Sequence, residues 1–289
     1  MYRYLKYESI YNIFLFIACE ILYKALIIYR WIEGYRYDVS FSELCKVTFL
    51  SNRVSLGFSK IQKVLVTNQF LKIYLKGYSQ AFYFPKNNFF TILYIIGENH
   101  SPLSWHFYET KETLITKQDI VVDCGAAVGT FTLSAAKKAK RVYAIEPFGD
   151  ALKLLHLAFN KDKKVNIIPL AVGEKIGVAY MVGNIFGYRI QKSQTSTPIK
   201  ITTIDKLFFD KDIKITYLKA DLEGFEMNML MGAKKTIRKY RPKIAITTYH
   251  KKNDHLIFMK FLSKLNSDYK FSLRGISWRN GNPIMLHAW

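Results

Sequence analysis

Ile120-Val121-Val122-Asp123-Cys124-Gly125-Ala126-Ala127-Val128-Gly129 is the stretch on which the fold of this 289-residue chain turns. Ile120–Cys124 is short and almost continuously apolar, which suits a strand buried on both faces of a parallel sheet. Gly125 and Gly129 follow, and glycine lets a backbone turn tightly and approach another chain or a ligand closely. A helix-like stretch then runs to Lys138. A loop that cradles a pyrophosphate spaces its glycines G-x-G-x-x-G; this loop does not.

The same rhythm continues downstream. Val142–Ile145 and Val165–Leu170 read as strands, with Asp150–Asn160 helical between them. Ile215–Ala220 and Lys243–Tyr249 read as the fourth and fifth strands. Phe225–Tyr240 reads as one long helix, closed by Arg241-Pro242, and Asp254–Leu265 as the next. Tyr269–Arg274 and Pro283–Trp289 suit a closing hairpin. Alternation of this kind marks βαβ units with right-handed crossovers. The expected class is α/β: a Rossmann-like sheet of seven strands, the last two antiparallel, with helices on both faces. Ala171–Pro198 interrupts it as an insertion, with a hairpin near Val178–Val182 and a loop over Gly183–Thr197 able to close over a site.

In open α/β sheets ligands bind beyond the carboxyl ends of the strands. Four groups of residues stand there. Asp123 ends the first strand, ahead of the Gly125–Gly129 loop. Glu146 ends the second, in Tyr143-Ala144-Ile145-Glu146-Pro147, where a carboxylate can accept hydrogen bonds from both hydroxyls of a ribose. The two carboxylates on consecutive strands point to a nucleoside site. Asp221 and Glu223 follow the fourth strand in Lys219-Ala220-Asp221-Leu222-Glu223-Gly224-Phe225-Glu226, facing the same crevice; Asp221 is a candidate general base or substrate ligand, and Glu226 suits a helix N-terminus. His250, after the fifth strand, is the histidine best placed for proton transfer near neutral pH. His106 and the other histidines lack a comparable position. No metal site is expected, since no two ligand types sit at metal-binding spacing; Asp221 and Glu223 with His250 are the one combination able to hold a divalent ion.

These motifs, in this order, resemble the FkbM-type family of S-adenosylmethionine (SAM)-dependent methyltransferases from about Lys111 to the C-terminus. Thr203-Ile204-Asp205-Lys206-Leu207, Leu230-Met231-Gly232-Ala233 and Arg241-Pro242-Lys243-Ile244 add to the match. The resemblance implies a class I methyltransferase fold, SAM as donor, and O-methylation of a hydroxyl on a sugar, glycan or small molecule. It places Asp123, Gly125, Ala127, Gly129 and Glu146 at the cofactor, and Asp221, Glu223 and His250 at the chemistry. Ala127 stands where the family often has Asn, so one side-chain contact to the cofactor is missing.

Residues 1–110 match nothing of this kind. Residues 1 to about 34 read as an aromatic-rich helix; Ile61–Thr67, Phe70–Lys76, Ala81–Phe84 and Phe89–Ile96 read as four short strands of a small antiparallel sheet. The expected division is therefore 1–110 and 111–289. Ile10–Tyr29 is nearly all apolar, broken by Asn12, Glu20 and Lys24, and suits a packed helix or peripheral membrane contact through residues 1–34. Three cysteines, far apart, exclude a disulfide framework and fit the cytoplasm. Lys and Arg number 43 against 22 Asp and Glu, a formal charge of +21 that favours anionic partners. Two rival functions follow: RNA methylation, without any recognisable RNA-binding module, and a non-catalytic module that docks on a membrane or partner.

Overall fold

A computed structural model describes residues 10–50, 52–86, 89–184, 187–191 and 197–289. The chain opens with helix α1 (Ile10–Ile32), short helix α2 (Phe41–Cys45), a π-type turn at Lys46–Leu50, and α3 (Arg53–Lys60). A meander follows, β1 (Ile61–Val66), β2 (Phe70–Leu75) and β3 (Ala81–Pro85), antiparallel in that order. Phe89–His100 then forms α4, not the fourth strand that its β-favouring residues suggested. Its period decides the matter. Ile92, Leu93, Ile96, Gly97 and Asn99 are the buried positions, which is the spacing of one helix face. That face meets α3 without clearance: a Cβ on Gly97 would lie 2.1 Å from the Arg53 carbonyl oxygen, and one on Gly57 would lie 1.8 Å from that of Leu93. Arg53 ties the helices together. Its guanidinium is 3.3 Å from both Glu20 and Glu98 and stacks on the rings of Tyr23 and Tyr94 at 4.0 and 4.1 Å. Such an arginine, buried and planar, suits paired carboxylates and aromatic faces together.

The main sheet starts at β4 (Ile120–Cys124), followed by α5 (Thr130–Lys138), β5 (Arg141–Ile145), α6 (Gly149–Phe159) and β6 (Val165–Ile168). The insertion forms a second sheet of four strands: β7 (Ala171–Val172), β8 (Gly177–Asn184), β9 (Gly187–Gln191) and β10 (Thr197–Thr202), with the expected hairpin made by β8 and β9. The loop expected over Gly183–Thr197 includes residues 185–186 and 192–196, which lie outside the described residues. After a π-type turn at Asp205–Phe209 come β11 (Tyr217–Ala220), α7 (Glu226–Met231), α8 (Lys234–Tyr240), β12 (Lys243–Thr247), α9 (Asp254–Leu265), β13 (Phe271–Arg274) and β14 (Met285–Ala288). The long helix expected over Phe225–Tyr240 is therefore two. The break falls at Gly232-Ala233, where Gly232 lies so near Gly173 that a Cβ would come within 2.0 Å of its carbonyl oxygen, and where the Gly232 carbonyl accepts from the Asp205 N–H at 2.9 Å.

The seven-stranded sheet runs β13-β14-β12-β11-β4-β5-β6. Only β14 opposes its neighbours. Counted within this sheet, the order is 6-7-5-4-1-2-3, so the chain reverses direction of winding between β4 and β11. Side chains alternate across it. Val121, Val142, Tyr217 and Ala245 enter one core with α5, α6 and the meander; Val122, Leu218, Ile244 and Ile246 enter the other with α7, α8 and α9. The first of these cores joins Leu71, Ile73, Phe82, Phe84, Ile92 and Ile96 to the sheet, so residues on both sides of position 110 share one interior.

Candidate active site

Register sets the site. Cys124 is opposite Ile145 on one side and Ala220 on the other, and Ala220 is opposite Ile246. The next residues, Gly125, Glu146 and Asp221, therefore leave the sheet at one edge, beside Thr247 at the end of β12, at the point where the winding reverses. This is the crevice where ligands of open α/β sheets bind.

Asp123 and Glu146 build the loop at this edge from inside. Asp123 is fully buried. Its Oδ2 accepts from Thr132 Oγ1 at 2.6 Å, and its Oδ1 lies 2.9 Å from Lys219 Nζ. Lys219 also donates to the Gly125 carbonyl at 2.8 Å. Burial alone would pull the Lys219 ammonium down, but Asp123, with Asp221 behind it, outweighs that and holds it above the ordinary lysine value. Glu146 is equally buried; one oxygen accepts from the Ala127 N–H at 2.9 Å and the other from the Phe148 N–H at 2.8 Å. Neither carboxylate lines the two spaces beside Gly125. The loop itself does, with Gly125 (φ +77°) pressed against the Asp221 backbone, where a Cβ would come within 2.1 Å of the carbonyl oxygen. Gly129 (φ +85°) turns into α5, and Ala127 also has positive φ, +46°.

Two spaces flank Gly125. On one side is an apolar slot between Ile145, Pro147, Leu170, Leu222 and Phe225. On the other is a cavity of about 280 Å³, bounded by the Gly125–Val128 loop, Lys219, Asp221, Glu223 and Tyr249, and across from them by Tyr94, Glu98, His106 and Tyr108. A third space of about 200 Å³, walled by α1, Arg53, Trp105 and Trp278, meets this cavity at Tyr94, Glu98, His106 and Tyr249.

Asp221 is the charged centre of the cavity wall. Tyr108 donates to its Oδ2 at 2.9 Å, Thr247 to its Oδ1 at 3.4 Å, and His106 Nε2 lies 3.7 Å away. Burial works to raise its carboxyl, but His106, Lys219, His250 and the Tyr108 hydroxyl together hold it below the ordinary value. Glu223, at φ +52° and about half exposed, is pushed up by burial and by Asp221.

His250 does not line the cavity. It sits behind the wall, with Nδ1 3.0 Å from Glu226 Oε1 and Nε2 3.6 Å from Glu223. Burial opposes its charge, yet Glu226, Asp221 and Glu223 push it up to about 9. These carboxylates favour its protonated form at neutral pH, which suits an electrostatic role. Glu226 does more than face a helix dipole. Buried in the loop, its Oε1 accepts from the Leu222 and Gly224 N–H groups and from Thr247 Oγ1. Among the described residues Asp221, Glu226 and His250 each bring a ligating atom within 4.8 Å of the others.

The sequence reading missed His106 and Tyr108. They lie before the first motif, in Trp105-His106-Phe107-Tyr108, and only the fold carries them to Asp221. No spacing within the sequence ties them to it; the one available signal was a clustered aromatic run directly ahead of the first strand.

The strand order, the antiparallel seventh strand and the loop at the winding reversal define a Rossmann-like class I methyltransferase fold. The profile of the methyltransferase FkbM domain matches residues 123–271, more than half of the chain, and the chain belongs to that family. A solved FkbM methyltransferase from Methylobacillus flagellatus is 23% identical with a TM-score of 0.48; the match covers 71% of this chain and 54% of that one, so this chain spans about half the length of that protein. A putative methyltransferase from Streptococcus mutans, solved with SAH, is 16% identical over 61% of this chain and 90% of its own, with a TM-score of 0.40. No curated protein matches the chain.

Proposed function

We propose that the chain transfers the methyl group of SAM to a hydroxyl of a sugar, glycan or small-molecule acceptor. The observation that carries this reading is the placement of Asp221: an ionised carboxylate on the wall of the cavity that begins at the Gly125–Val128 loop. The residues present fit the cofactor. The apolar slot suits an adenine face, and the loop between slot and cavity suits a ligand with a base at one end and an amino acid at the other. Gly125, Ala126, Ala127 and Val128 would hold it through their backbone, and Gly129 would shape the loop. Glu146 acts from beneath, holding the Ala127 and Phe148 N–H groups that shape the loop for the ribose end of the cofactor. Asp123 acts through the loop, by way of Lys219.

Bound SAM supplies an electrophilic methyl on a sulfonium, and transfer requires alignment with the acceptor and loss of a hydroxyl proton. Asp221 orients the acceptor hydroxyl and takes that proton, with Tyr108 fixing the carboxylate and the His250 imidazolium steadying the charge of the surrounding carboxylates. Glu223, less tightly held and more exposed, contacts the acceptor from the rim. SAH release measured against a panel of glycosides and phenols tests the reading. Turnover by wild type, lost in Asp221→Asn while SAM binding persists, supports it. Full turnover in Asp221→Asn removes this carboxylate from the role of base.

A further inference from the structure

The first helix turns large apolar side chains outwards as well as inwards. From Ala18 to Ile32 its inward face carries Glu20, Tyr23, Lys24, Ile27 and Trp31, and its outward face carries Ala18, Ile21, Leu22, Ala25, Tyr29 and Ile32. The two sets sit on opposite sides of a 3.6-residue helix. Soluble surface helices show the reverse pattern, with charge towards water. Here Ile21 is 65% exposed, Leu22 59%, Tyr29 53% and Ile32 67%. The inward contacts hold the orientation: Glu20 and Tyr23 meet Arg53, Ile27 is fully buried, and Trp31 donates to the Val39 carbonyl at 3.3 Å. The apolar surface extends beyond the helix, through Phe41, 65% exposed and 5.7 Å from Trp31 between ring centroids. The turn that packs beside α1 adds Phe49, 72% exposed, next to exposed Lys46. Large apolar side chains exposed together in this way mark an interaction site.

We propose that this face docks the protein in the plane of an anionic lipid bilayer, with the outward residues of α1 and its neighbouring aromatics in the headgroup boundary. The charge favours this occupant over a second copy: a chain at +21 is attracted to an anionic surface and repelled by its own duplicate. Arg36, exposed just beyond the helix and stacked 4.4 Å over Trp31, adds a cation at this end. Among the described residues no helix is long and apolar enough to cross a membrane, which agrees with a helix that lies on it.

The test is independent of methyl transfer. Binding of the full chain to phosphatidylglycerol/phosphatidylcholine vesicles is compared with binding to pure phosphatidylcholine by flotation. The variants are Leu22→Glu/Ile32→Glu and Arg36→Gln, all at exposed positions, with circular dichroism and light scattering as controls for fold and mass. The expected result is a monomer that binds anionic vesicles at least about tenfold better than neutral ones, and a double variant of unchanged fold that loses about tenfold or more. Arg36→Gln lowers only the anionic preference. Equal flotation of wild type and double variant overturns the proposal. So does a wild-type dimer that ignores vesicles and that the double variant dissolves, which would assign the face to a second copy.

Discussion

Removing Lys219 should destabilise the protein far more than removing Lys219 and Asp123 together. Both side chains are almost wholly buried, and their charged atoms are 2.9 Å apart. At an effective dielectric constant of about 20, two unit charges at that distance attract by about 6 kcal/mol. Much of this offsets the cost of taking both ions out of water. What survives a single substitution is the penalty for the charge left behind, typically about 3–5 kcal/mol. Lys219→Met leaves Asp123 with Thr132 as its remaining partner and should lower stability by about that amount, a fall in Tm of roughly 6–20 °C for a chain of this size. Asp123→Asn should cost less, because an amide keeps the contact with Thr132 and leaves only a flexible ammonium to redistribute among the carbonyls of Cys124 and Gly125. In Asp123→Asn/Lys219→Met neither charge of the pair remains, and the double variant should recover at least half of the loss of Lys219→Met. Thermal and urea denaturation of the four proteins at pH 7 measures the cycle. If the two single effects simply add in the double variant, the pair is not coupled and the reasoning fails.

Three further outcomes are expected. Gly125→Ala adds a Cβ where the Asp221 carbonyl oxygen stands, at a backbone angle that alanine disfavours, so SAM affinity measured by calorimetry should drop at least about tenfold while the far-UV spectrum persists. Tyr108→Phe removes one charge-assisted hydrogen bond to Asp221, worth about 1.5–3 kcal/mol, so turnover on any acceptor should fall roughly tenfold or more with little change in SAM affinity; unchanged turnover would remove Tyr108 from the site. His250 has its pKa raised to about 9 from an ordinary 6.5, so its contribution to stability is fully present below about pH 6.5 and is lost as pH rises through 9. His250→Gln should flatten the stability profile across that window, and the imidazole of the wild type should titrate near 9 by NMR; titration near 6.5 would contradict the assignment of a charged histidine.

The methyltransferase half of the fold was legible because its signals are local. Each buried parallel strand is a short apolar run, each crossover a helical period, and helix Asp254–Leu265 has the bounds its pattern implied. The failures lie where tertiary contact overrides local preference. Phe89–His100 is rich in β-favouring residues, yet its buried positions recur at helical spacing and its Gly97 must pass α3 at close range. The helix expected over Phe225–Tyr240 breaks because Gly232 is needed beside Gly173 and Asp205, contacts that no window of sequence contains. The carboxylates at the strand ends were found by position; what position does not show is that Asp123 and Glu146 turn inwards and hydrogen-bond around the loop, and that Asp221, Glu223 and Glu226, in the segment that leads from β11 into α7, favour a charged His250. Most of the far wall of the cavity comes from residues ahead of position 110, and nothing in the linear pattern connects Tyr108 to Asp221.

Calorimetric titration of SAM into the purified chain, with Glu146→Ala beside it, tests the central claim most directly. The account predicts one SAM per wild-type chain, and at least about a tenfold loss in Glu146→Ala, which frees the Ala127 and Phe148 N–H groups from two charge-assisted hydrogen bonds. A well-folded wild type that takes up neither SAM nor SAH would contradict it.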